Sequence, residues 1–113
     1  MKTSEINKLE RTTFHAAEAA IVARNKVATA RFALKAATGA ARESLLAAVT
    51  VHANLAEAAA DVANVALAAL HGSGADRATM LDAKDATDTA DANAKSAARH
   101  AAAVTGPTYA PAW

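Results

Sequence analysis

Glycine and proline stand only at the margins of three long stretches of this chain. Gly39, Gly72, Gly74 and Gly106, with Pro107 and Pro111, punctuate the sequence and leave the intervals between them uninterrupted. In a helix interior Gly costs about 1 kcal/mol and Pro about 3, so their exclusion predicts helices over about 4–38, 41–71 and 76–104. Thr3 or Ser4 is placed to cap the first helix. Gly72, following His71, suits the left-handed position that closes the second. The run Ser73-Gly74-Ala75-Asp76 offers caps for the third, which Gly106-Pro107 ends. No stretch alternates apolar and polar residues with a period of two, so the fold class is all-α.

Steps of alternately three and four residues sharpen this picture. From Ile6 they pass through Leu9, Thr13, Ala16, Ala20, Ala23, Val27, Ala30, Leu34 and Ala37. In the same phase they continue through Ala41, Ser44, Ala48, Val51, Leu55, Ala58, Val62, Val65 and Ala69. Only Thr13 and Ser44 break the apolar character of this seam, the heptad signature of helices packed side by side. The third helix has its own seam in Ala83, Ala86, Ala90, Ala94, Ala97, Ala101 and Val104. Three helices of similar length joined by short turns predict an up-down-up bundle. The unbroken phase across Gly39 also allows one continuous helix over 5–70, about 100 Å long at 1.5 Å per residue, with the third helix folded back along it. One domain over 1–105 and an extended tail over 106–113 complete the organisation.

Several bulky apolar residues lie off this seam. Phe14, Ile21 and Phe32 fall on the outer side of helix one, and Leu45, Leu46, Val49, Leu67 and Leu70 lie off the seam of helix two. Between Ser44 and Leu70 that helix carries only two charges, Glu57 and Asp61. A helix apolar all round is normally buried all round, and two partner helices cannot enclose a third. These eight residues are therefore candidate interface positions. Tyr109 and Trp113, in the Pro-containing tail, are two more, since aromatic anchors on a stiff segment are the usual material of interface hot spots.

Composition narrows the chemistry. Of 113 residues 37 are alanine, whereas Leu, Ile, Val and Phe together number 19. Such a chain forms helices readily but has few large groups to bury. It has no cysteine, which excludes disulfides, thiol nucleophiles and Cys-ligated zinc. His52, Asn54, Glu57, Asp61 and Asn64 interrupt the most apolar stretch, so no transmembrane segment is expected. The first residues lack the apolar centre of a signal peptide, and synthesis in the cytoplasm is the expectation.

The net charge of +1 conceals a polarity. In an up-down-up bundle, the end near Gly39 collects Arg24, Lys26, Arg31, Lys35, Arg42, Lys95 and Arg99 against Glu43 alone. The other end holds ten acids and five bases. Arg24, Arg31, Lys35 and Arg42 recur at seven- and four-residue spacing, and Asp82, Asp85, Asp88 and Asp91 recur every three. Both sets are candidate electrostatic contacts, steering association by opposite sign. A basic stripe can also meet nucleic acid, although no aromatic is interleaved with it as in a base-stacking platform.

No catalytic or cofactor-binding pattern stands out. His15-x-x-Glu18 reverses the Glu-x-x-His order of di-iron bundles, the aspartates lack the glycine and ligand spacing of a calcium loop, and no Gly-rich phosphate loop exists. Neither metal, cofactor nor enzymatic activity is expected. The sequence reads as a structural protein that assembles with copies of itself or with other subunits, most concretely a small helical subunit of a viral or phage particle. The alternative is a helical adaptor that grips a protein or nucleic acid through the basic stripe.

Overall fold

The computed structural model describes residues 1–105 and contains three packed helices: α1 (Thr3–Ala33), α2 (Gly39–His71) and α3 (Arg77–Thr105). They run up, down and up. No strand occurs among the described residues, and the body measures 54 × 26 × 15 Å. The continuous helix over 5–70 is not formed. After Ala33 the chain tightens through Lys35 N–H to Phe32 C=O (3.2 Å) and Ala36 N–H to Ala33 C=O (3.3 Å), i to i−3 bonds that close a last turn. Gly39 then reverses the chain at φ +59°, a left-handed conformation that any Cβ disfavours.

The helix ends differ from expectation in two places. Neither Thr3 nor Ser4 caps α1, whose cap position is Lys2, with no side-chain hydrogen bond. The left-handed residue after α2 is Gly74 (φ +84°) rather than Gly72 (φ −104°). Ser73 closes α2 instead: its buried hydroxyl donates to Leu70 C=O (2.7 Å) and accepts from Ala75 N–H (3.2 Å). Asp76 caps α3 as the sequence suggests, accepting from Thr79 N–H at 2.8 Å.

The seams of α1 and α3 face the core as read. Thr13, Ala16, Ala20, Ala23, Val27, Ala30 and Leu34 are buried, as are Ala83, Ala90 and Ala97. On α2 the phase is different. Its inward positions are Val49, Ala53, Ala56, Ala60, Ala63, Leu67 and Leu70, which also step by four and three. The stripe that continued the numbering from α1 lies outside. Helix α2 carries two equally regular apolar stripes, and the non-helical residues 34–38 reset the phase, so the inner stripe is the one that meets α1 and α3.

Two apolar clusters lie in the core, which also buries Leu70 close to Gly72. Near the Gly39 end, Val27, Leu34 and Val49 pack with Ala23, Ala30, Ala56 and Ala97. Below them the layer is alanine alone: Ala16, Ala20, Ala59, Ala60, Ala63 and Ala90. Alanines let helix axes approach toward the 8 Å lower limit of helix packing. Thr87 is buried in this region without loss, because its hydroxyl donates to Ala83 C=O at 2.8 Å.

Candidate functional site

Corrections to the candidate interface follow from the phase of α2. Val49 and Leu70 are core residues, 0% and 1% exposed. Leu45 and Leu46 are half-buried against the upper layer and Leu67 is half-buried on the inward stripe. Val49 and Leu70 are thus committed to the fold, whereas Leu45, Leu46 and Leu67 are only partly covered by it. Phe14, Ile21 and Phe32 are exposed, as expected. Tyr109 and Trp113 lie outside the described residues.

The outward stripe of α2 is apolar, against the expectation from heptad phase that it faces the core. Val51, Leu55, Val62 and Val65 stand 49–71% exposed, with Ala58 and Ala69 completing the row. Beside it runs the groove between α1 and α2. One cleft of about 460 Å³ is lined there by Val22, Lys26, Thr29, Leu45, Ala48 and His52, among others. Another, about 330 Å³, is lined by Leu9, Thr12, Asp61, Val62, Val65 and Ala66. The sequence did contain a signal for this face: the second stripe at the same spacing, offset by two residues from the one that is buried. Helix α2, set aside as a membrane span for its polar interruptions, is nonetheless long and apolar enough to cross one, and 22% of its apolar window is buried.

Basic side chains converge where α1 meets the end of α3. Arg31 lies 3.0 Å from His100 Nδ1. Arginine can only donate, so Nδ1 accepts and the imidazole is neutral there. Arg24 Nε donates to Ser96 Oγ at 3.2 Å, and Arg42 reaches Leu34 C=O at 3.4 Å. Burial, with the charges of Arg31, Arg24 and Arg99, lowers the pKa of His100 from its ordinary 6.5. Phe32, 73% exposed, lies in the midst of these cations. It shares a shallow cleft of about 220 Å³ with Ala28, Arg31, Lys35 and His100, and Lys35 Nζ sits 5.3 Å from its ring centroid. An adjoining cleft of about 320 Å³ is lined by Arg31, Lys35 and Arg42 with Leu34, Ala103 and Val104. An aromatic is therefore interleaved with the basic stripe after all. The signal was present in the sequence, where Phe32 stands between Arg31 and Lys35; only the approach of His100, from another helix, is hidden by linear spacing.

The aspartates spread out rather than converge. Asp82, Asp85 and Asp88 are exposed; Lys84 pairs with Asp88 at 3.1 Å, the one ion pair among the described residues. Asp91 accepts from Asn64 Nδ2 of α2 at 2.9 Å and is half-buried. Among the described residues no three His, Asp or Glu side chains are grouped to hold a metal ion. Between α2 and α3 an open cleft of about 690 Å³ is lined by five alanines and by Thr50, Asn54, Glu57, Lys95 and Thr105. No family model matches this chain, and neither a curated protein nor a solved structure matches it.

Proposed function

We propose that this chain is a non-enzymatic structural protein that assembles by helix packing along the outer face of α2, with a subunit of a viral or phage particle as its most concrete form. One observation carries the reading: Val51, Leu55, Val62 and Val65 form an exposed apolar stripe on α2, while the layer beneath its lower half is filled by alanines. A buried Val or Leu contributes about 1.5–3 kcal/mol, against about 0.8 for a methyl. A fold that leaves four such groups on one exposed stripe retains a driving force for association. Contiguous exposed apolar surface marks such contact faces.

Sedimentation equilibrium tests this directly. The protein is expected to self-associate, and Leu55→Glu with Val62→Glu to return it to single copies with unchanged helical circular dichroism. A single copy at millimolar concentration overturns the reading. So does a monomer that floats with phospholipid vesicles through this face, since a lipid surface would then be what the stripe covers.

A further inference from the structure

The cationic end of the bundle has a composition that self-association through α2 does not explain. Its clefts join through Arg31 and Lys35, which line both. Around them stand Arg24, Arg42 and His100, and no acid pairs with any of these among the described residues. Ala28, Ala103, Leu34 and Val104 complete the lining of the two clefts. The ring of Phe32 is presented to solvent at the centre of the charge, although folding alone favours turning it inward. From Arg24 to Leu34 the patch runs about 15 Å along the helix direction at 1.5 Å per residue.

We propose that this end binds single-stranded nucleic acid, with Arg24, Arg31, Lys35 and Arg42 meeting phosphates and Phe32 stacking on a base. Cations alone fit any polyanion; the exposed ring among them selects a polyanion with aromatic bases. A strand rather than a duplex fits because paired bases are already stacked and present no free face. The bundle's other end is acidic and repels the same ligand, so binding is confined to one end of the rod. This site is independent of the α2 face.

The test is fluorescence anisotropy of the full chain with a short labelled oligothymidine at low salt, with duplex DNA and inorganic polyphosphate as competitors. Binding should weaken with salt at a slope of about −0.7 per phosphate neutralised, and Lys35→Ala should reduce that slope by about one such step. Phe32→Ala should weaken the oligothymidine by about fivefold or more and leave polyphosphate competition unchanged. All these side chains are on the surface, and circular dichroism checks that each variant folds. Three results overturn the proposal. One is no binding at low salt. Another is equal competition by polyphosphate with no effect of Phe32→Ala, which means charge alone. The third is basic-patch variants that alter sedimentation mass but not oligothymidine affinity, which makes the patch a contact between copies.

Discussion

His100 shows how a single residue reports the field around it. Its ring is half-buried and faces Arg31, so protonation meets both desolvation and like charge. The folded state therefore holds the proton less tightly than the unfolded chain, whose value is near 6.5. Stability should be constant above that value and fall as the pH drops below it, until the folded ring is also protonated. An NMR titration is expected to place the His100 midpoint below 6.5, and Arg31→Ala to move it upward. Asp76 behaves in the opposite sense. Its hydrogen bonds from Thr79 lower its pKa from 3.8; its capping contribution is present above that value and disappears as acid titrates the folded carboxylate. Asp76→Ala should lower the melting temperature at neutral pH and have no effect once both states are protonated.

All three helices were legible from sequence, but the buried face of α2 was not, for a reason visible in its residues. In α1 and α3 a single stripe keeps the apolar heptad spacing, so periodicity identifies the buried face. In α2 Val51, Leu55, Val62 and Val65 compete with Val49, Ala53, Ala56 and Ala60 at identical spacing. Counting apolar positions cannot choose between them. Closeness of approach does, because only the alanine-rich stripe lets α2 enter the groove between its neighbours. Ala60→Leu should consequently destabilise the bundle by about 1–3 kcal/mol through overpacking, whereas Ala58→Leu on the outer stripe should leave monomer stability within about 0.5 kcal/mol. Chemical denaturation of the two variants compares them directly. Similar losses at both positions would mean that the faces of α2 are assigned the wrong way round.

The whole molecule is a rod with opposite charge at its ends, and that polarity was readable once the up-down-up topology was assumed. The meeting of Arg31 with His100 was not, because residues 69 apart in sequence meet only after the chain has reversed twice. Charge at the ends acts over a Debye length of about 30 Å at 0.01 M salt and about 8 Å at 0.15 M. Light scattering should show association slowing over that range while helicity is unchanged. Salt-independent kinetics would remove steering from the account and leave the apolar face as the only driver.

The layer built only from Ala16, Ala20, Ala59, Ala60, Ala63 and Ala90 gives the rod a weak waist. Each side chain there offers a single methyl, so little contact is lost when neighbouring helices part momentarily. The level of Val27, Leu34 and Val49 holds more firmly. Breathing of the bundle should therefore begin near its middle, and amide hydrogens around Ala20 and Ala60 should exchange with deuterium sooner than those around Val27 and Val49. A second copy clasping the waist from outside would quiet that motion, which makes exchange at those amides a gauge of assembly.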